Sequence, residues 1–429
     1  MKRIHCVILA SGVAISATSA YASGFMVREN SAEGLAMAFA GGASRADEAA
    51  TVFNNPAGMA FLTGTQTEIG GVAVFPSIHF EGNATIGPLP GGTPIPGDNS
   101  RNGGQFAFIP HAYAKIDINN RWQAGIAFTV PFGNTVDYSE AWSGRYVNIK
   151  TAALTFDINP NVSFKVTDHL AIAAGFSAQY LKLDLSSRIP QFLIFSSPGM
   201  PDGGFLLRIH SWDWGWNVGV LGEPWAGARV GITYRSAVDH STEGTLDFNS
   251  DTSPLLGLTS GSATTNLPMP ASTTGSITQT FGAFTVSADV QFNQWHTFKT
   301  ITVVSPGNPN FVFNEGYRDS WLFSIGGSYR VNDRWTFRTG FGFDQSPVID
   351  AFRDTGVPDK DRYMVGVGFA YQWAPGFAVD VGYAHYFAAG HATMNESVNA
   401  IEPITGAIFL NGRYDNHLDY VGVSFRTTL

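Results

Sequence analysis

Arg318, Arg330 and Arg338 are the side chains in this chain with the clearest chemical use. Each falls on a face of small residues, opposite a face of aromatics. A guanidinium so placed can hold a carboxylate with two parallel hydrogen bonds. That carboxylate could belong to a ligand, or to a neighbour such as Asp344 or Asp380, since a charge turned into a confined interior needs a partner. Covalent catalysis has weaker candidates. His385 falls on the aromatic register and His391 lies near a loop, neither beside a Gly-x-Ser-x-Gly element. No group of His, Asp and Glu has metal-ligand spacing, so neither an enzyme nor a cofactor is expected.

The elements that must position these residues begin after residue 22. Lys2 and Arg3, an apolar run from Val7 to Ile15, and Ala20-Tyr21-Ala22 read as a signal peptide over residues 1–22. Its removal would take away Cys6, the only cysteine, and with it disulfides, thiolate metal sites and a cysteine nucleophile. The 25 Lys and Arg stand against 34 Asp and Glu; setting aside Lys2 and Arg3 leaves 23 against 34, or −11. That balance argues against a nucleic-acid partner. Only 14% of residues are charged, where a soluble domain carries about a quarter. No later apolar run is long enough for a spanning helix.

Residues 63–429 instead alternate with period two. From Trp335 to Phe343 the odd positions are mostly aromatic and the even ones are Thr, Arg and Gly. Tyr363–Trp373 and Phe377–Phe387 repeat the pattern. An apolar face opposite a glycine-, alanine- and serine-rich one suits strands with lipid outside and a confined lumen. The expected fold is an all-β transmembrane β-barrel of about fourteen antiparallel strands in a bacterial outer membrane. Residues 23–62 break the pattern. A capping box at Asn30 and Glu33, a stop at Gly41-Gly42, a second start at Ser44, and Asn55-Pro56-Ala57 opening a third short helix predict a helical hatch inside the barrel. Two long loops, Ser187–His210 and Asn249–Asn266, carry Phe192, Phe195, Leu255 and Leu256, an apolar load that suits either a cap or ligand capture. Pro131, Phe132 and Gly133 interrupt the third strand, as a bulge or as an opening in the wall.

These residues resemble the FadL/TodX family of outer-membrane transporters for long-chain fatty acids and hydrocarbons. The likeness spans the mature sequence. It is carried by Gly24-Phe25, Asn55-Pro56-Ala57, Trp214-Gly215-Trp216-Asn217, Asn314-Glu315-Gly316-Tyr317-Arg318-Asp319, Trp335–Gly340 and Pro358–Arg362. The resemblance implies a hatch-closed barrel of fourteen strands. Ligand would be caught between outer loops, held in an internal pocket, and released sideways through the kink at Pro131–Gly133. Outer-membrane lipid is the implied surrounding and a monomer the expected state. The ligand set it suggests is Phe25, Arg188, Phe192, Phe195, Leu255, Leu256, Phe313, Arg318 and Asp344. The match is weakest at the carboxylate end. Phe313 and Asn314 stand where fatty-acid binders place a basic residue, and Arg188 and Arg318 are the nearby substitutes. A neutral hydrocarbon therefore stays open as ligand, with a general porin or an outer-membrane lipid hydrolase behind it.

Overall fold

Alternation of one lipid-loving and one small residue leaves a strand no choice but to close on itself, because an open edge in a bilayer strands its backbone groups without partners. The computed structural model describes residues 24–87, 92–195, 197, 199–398 and 408–429, so the expected signal peptide lies outside the described residues. Fourteen strands form the wall. They are β1 (Gln66–Ile86), β2 (Ala107–Asp117), β3 (Trp122–Thr129 and Gly133–Asp137), β4 (Lys150–Thr167), β5 (Leu170–Ile189), β6 (Gly203–Gly222) and β7 (Ala228–Arg235 and Val238–Phe248). There follow β8 (Gly261–Met269 and Ser272–Phe281), β9 (Phe284–Asn293), β10 (Ser320–Arg330), β11 (Trp335–Asp344), β12 (Arg362–Ala374), β13 (Phe377–Ala388 and Ala392–Val398) and β14 (Ile408–Thr428). Each pairs antiparallel with its sequence neighbours, and β14 closes on β1 from Gln66↔Thr428 to Ile86↔Ile408. Phe323, Ile325, Phe337, Phe341, Val365 and Val367 point outward and exposed, alternating with buried Leu322, Ser324, Arg338 and Met364. No helix is long and apolar enough to cross a membrane among the described residues.

Residues 24–62 sit inside the wall, buried almost throughout. Their start differs from the expected capping box. Ser31 caps α1 (Ala32–Ala36), its hydroxyl accepting from Gly34 N at 2.9 Å. The helix stops well before Gly41, with Ala38 and Phe39 at positive φ. The second helix, α2 (Thr51–Asn54), begins with no side-chain cap, so Ser44 does not start it. The third start is as expected: Asn55 accepts from Ala57 N ahead of a 3₁₀ turn over Pro56–Phe61.

Barrel contact, more than propensity, sets these lengths. A Cβ on Gly340 would lie 2.1 Å from the Met37 carbonyl, on Gly366 2.4 Å from Leu35 O, on Gly382 2.2 Å from Ala32 O, and on Gly231 1.9 Å from Ala43 O. Those luminal glycines are the seat on which the hatch backbone rests. The hatch is also ionically tied. Glu33 meets Arg45 at 2.6 Å and Arg338 at 3.0 Å, Arg338 meets Asp380 at 2.8 Å, and Arg426 closes on Asp380. Burial acts to raise the Glu33 carboxyl, but Arg338 and Arg45 beside it hold it well below the ordinary carboxylate range. Removing one partner of such a buried set costs about 3–5 kcal/mol.

Sequence alternation predicts strands over Phe284–Val303 and Val312–Val331, but each loses an end. Thr300–Val303 and Phe311–Asn314 leave the wall and pair with each other as a hairpin, bridged to β8 by Thr264 and Val304. Trp295 and Phe298 fold inward at that point, where burial of aromatic surface outweighs continued pairing with the wall.

Candidate functional site

Under that hairpin lies an upper cavity of about 1180 Å³ of empty space, open mouth included. Leu181, Leu183 and Leu185 of β5, Phe205 and Leu207 of β6, Leu267 of β8 and Phe311 and Phe313 of the hairpin line it. Alternation puts every second residue of β5 and β6 into the lumen, so three leucines two apart make one greasy wall. The polar side chains there include Glu315 and Asp354. Loss of water pushes the Asp354 carboxyl up from its ordinary value, against the opposing hydrogen bonds from Val357 N–H, Glu315 and Gly356 N–H. No lysine, arginine or histidine lines this cavity among the described residues.

Phe25 forms its floor. The ring sits edge-on to Trp295 at 4.8 Å, to Phe298 at 5.2 Å and to Phe132 at 6.1 Å, with Tyr317 at 6.5 Å. Beneath lies an inner cavity of about 1030 Å³, its mouth included, walled by Met26, Val27, Phe132, Val238 and Met269 and reached by Arg28, Arg45 and Arg235. Met269 lines both spaces, and Phe25 faces the upper one. Phe25→Ala should therefore join the two cavities. Emptying a buried phenylalanine site costs about 3–5 kcal/mol, so the variant should melt lower. Ion leak through single barrels in a planar bilayer should rise; an unchanged leak would mean that another group holds the seal.

The inner cavity abuts a fault in the wall. β2 and β3 pair from Asp117↔Gln123 up to Ala112↔Phe128. Above that, only the bridge Gly104↔Val136 joins them among the described residues. Both pairings keep the same register, so the strands part and rejoin without slipping. Pro131 lies within the parted stretch and has no N–H to offer β2. The hatch serves the orphaned groups: Gly133 N donates to Phe25 O at 2.9 Å, and Val27 N donates to Pro131 O at 2.8 Å. Phe132 turns inward onto Phe25, and its N–H donates to Thr155 Oγ1 at 2.9 Å. Gly133 is not at positive φ, and a Cβ there would meet Val27 at an ordinary 3.6 Å. The kink thus rests on Pro131, not on glycine's freedom.

The hatch thus lies beneath one apolar chamber and caps a broken ladder. The model of the outer membrane protein transport protein family (OMPP1/FadL/TodX) matches residues 13–429. The chain belongs to the FadL/TodX family. It is 26% identical over 412 residues to the long-chain fatty acid transport protein of Escherichia coli K12, covering 88% of this chain and 90% of that one. It is 30% identical over 399 residues to a 47 kDa outer membrane protein of Pasteurella multocida, covering 88% and 90%. Among solved structures, a Pseudomonas aeruginosa FadL homologue superposes with a TM-score of 0.86 at 24% identity, covering 94% of this chain and 99% of that one. The P. putida toluene transporter TodX gives 0.68 at 18%, covering 93% and 98%. The protein is thus an outer-membrane transporter of the FadL/TodX type for hydrophobic substrates, and the family is not one of enzymes.

Within this FadL/TodX barrel the residues singled out from sequence scatter. Phe25 and Phe313 line the upper cavity. Phe192, on a one-turn helix over Gln191–Ile194, packs against the core, and Phe195 is half-buried beside it. The two loops are stapled together, Gln191 donating to Asp251 O at 2.7 Å and Gly204 N to Thr252 Oγ1 at 3.1 Å. Leu256 is half-buried, while Leu255 projects into solvent, 81% exposed. Arg188 pairs with Glu140, and Arg318 reaches Ser346 O at 3.3 Å and Asp361 at 3.7 Å; neither lines the upper or the inner cavity. Asp344 is buried between Arg28 and Arg362, 2.9 Å from each. Sequence reading missed Trp295, Glu315, Asp354 and Arg28. Alternation could not find them, because all four lie off the regular strands; the Glu315-Gly316-Tyr317 motif was the one available pointer.

Proposed function

We propose that this protein carries long-chain fatty acids and other apolar small molecules across the outer membrane. Ligand enters between the stapled loops, rests in the upper cavity, passes Phe25, and leaves sideways through the parted β2–β3 ladder. The observation that carries this reading is the leucine- and phenylalanine-walled upper cavity with Phe25 as its floor. Burying an alkyl tail there gains about 0.8 kcal/mol per methylene, which a water-filled porin lumen would not supply. The curated relatives named for long-chain fatty acid transport favour an acid as cargo. Mass spectrometry of lipid carried through purification, with planar-bilayer conductance, tests it. Bound long-chain acid and little conductance support a plugged transporter; a large steady conductance with no lipid would make it a porin.

A neutral hydrocarbon is the second reading, favoured by the lack of a cation around the upper cavity and by Glu315 and Asp354 standing there instead. The raised Asp354 carboxyl gives the two cargoes different pH behaviour. Below its pKa the group is neutral; as pH rises through it a negative charge appears, which repels a carboxylate and ignores an alkane. Palmitate capture should therefore weaken with rising pH, hexadecane capture should stay level, and Asp354→Asn should flatten the palmitate profile. Isothermal titration across a pH series checks this; a palmitate profile that the variant leaves unaltered removes Asp354 from the account.

A further inference from the structure

We propose that Arg28, a hatch residue, is the carboxylate anchor of this transporter, holding the head group of a long-chain acid in the inner cavity after the acid has passed Phe25. The proposal rests on the fatty-acid reading above and gives it a head-group site that Arg188 and Arg318 do not provide, since both lie outside the two cavities and are engaged elsewhere.

Three arginines line the inner cavity. Arg235 is committed to Asp157 at 3.4 Å and to Phe53 O at 3.1 Å, and its guanidinium stacks on the Phe53 ring. Arg45 is committed to Glu33 through Nη1 at 2.6 Å, and its buried Nε–H is left without a partner. Arg28 is different. It is only 8% exposed, its Nη1 donates to Asp344 at 2.9 Å and its Nε to Gln291 at 3.1 Å, but its Nη2 has no partner. A buried NH₂ group of a charged guanidinium left without an acceptor is costly, and it calls for an acceptor, water or a ligand oxygen for which the neighbouring side chains give way. Asp344 does not answer the whole charge, because the same Oδ2 also takes Arg362 at 2.9 Å. The nearby Glu29 carboxyl is held by the Tyr386 hydroxyl at 2.7 Å and by Arg28's own backbone N–H at 2.9 Å.

The surroundings suit an amphiphile. Met26, Val27, Phe132 and Met269 give the cavity an apolar side, and Pro131 brings it against the parted wall. A carboxylate on Nη2 leaves its tail among these side chains, pointing toward the lipid. The upper cavity, with no cation of its own, would then select for the tail and the inner one for the head group.

The test uses the full-length protein in detergent with palmitate and hexadecan-1-ol, which share a tail and differ in charge. Wild type should bind palmitate more tightly. In Arg28→Gln the palmitate Kd should rise about tenfold or more, with hexadecan-1-ol little changed, and Arg28→Lys should recover part of the preference. Equal loss for both ligands would mean that Arg28 only seats the hatch, and an unaltered palmitate Kd would mean that water alone serves Nη2; either overturns the proposal. A wild type with no preference for palmitate over the alcohol would sink the fatty-acid reading itself. Should Arg28→Gln fail to fold, wild type with carboxyl-¹³C palmitate still decides. A head group on Arg28 stays ionised to lower pH than the free acid, whereas one lodged in apolar surroundings becomes protonated earlier.

Discussion

Removal of residues 24–57 should leave a folded barrel whose single-channel conductance rises by on the order of tenfold or more, as a filled lumen becomes an aqueous channel. The wall should survive because its own charges stay paired: Arg338 and Arg426 keep Asp380, and Arg362 keeps Asp344. The glycines on which the hatch rests would then face water. Specific uptake should collapse with the same deletion, since Phe25 and the caps on Pro131 and Gly133 go with it. A point variant makes the argument without deletion. Gly340→Val places a side chain where the Met37 carbonyl now lies, so the hatch must lift from β11. Conductance of both proteins in planar bilayers is the measurement. A folded deletion that conducts no better than wild type would show that something other than the hatch fills the lumen.

Closing the wall between β2 and β3 should stop uptake while sparing ligand binding. The shared register on both sides of the fault makes closure a local matter, with Ala107 standing opposite Gly133 if the ladder ran on. Pro131→Val with Gly133→Thr restores a backbone donor and β-branched side chains. Ala107→Cys with Gly133→Cys offers a reversible lock, provided the strands come within disulfide reach of about 5.5–6 Å between Cα atoms. The physical reason to expect a lateral route is the tail. Sending a sixteen-carbon chain into periplasmic water forfeits about 0.8 kcal/mol per methylene, on the order of 10 kcal/mol in all. Uptake of labelled acid by cells should fall roughly tenfold in the locked protein and return on reduction, while affinity measured on purified protein stays close to wild type. Wild-type uptake with the disulfide formed would send the ligand out through the hatch. Closure also has a cost that can be read separately: Gly133 N and Pro131 O would turn to β2, leaving Phe25 O and Val27 N of the hatch to find other partners.

Much of this was legible in the chain itself. Alternation of aromatic and small residues sufficed for most of the wall, because in a bilayer the outward face has one acceptable chemistry and every strand must pair on both sides. Asn55-Pro56 was readable as a helix start because a cap and a preset φ act locally. The interruption at Pro131 was readable because a missing donor needs no context. What the sequence could not fix was anything that depends on two distant segments meeting. The luminal glycines read only as a small-residue face and are the seat of the hatch, since only the fold brings Met37 onto Gly340. Arg318 and Arg188 looked like anchors by position, yet Asp361 and Glu140 reach them first. Arg28 gave no local signal at all. Its neighbours Asp344 and Gln291 lie 316 and 263 residues away, and a guanidinium's chemistry is set by which donors its neighbours leave without an acceptor. Local sequence determined the strands, the caps and the kink because short-range geometry and the solvent decide them. Tertiary structure alone decided which charges are spent and which are available, because Coulomb and hydrogen-bond partners are chosen by space and not by order along the chain.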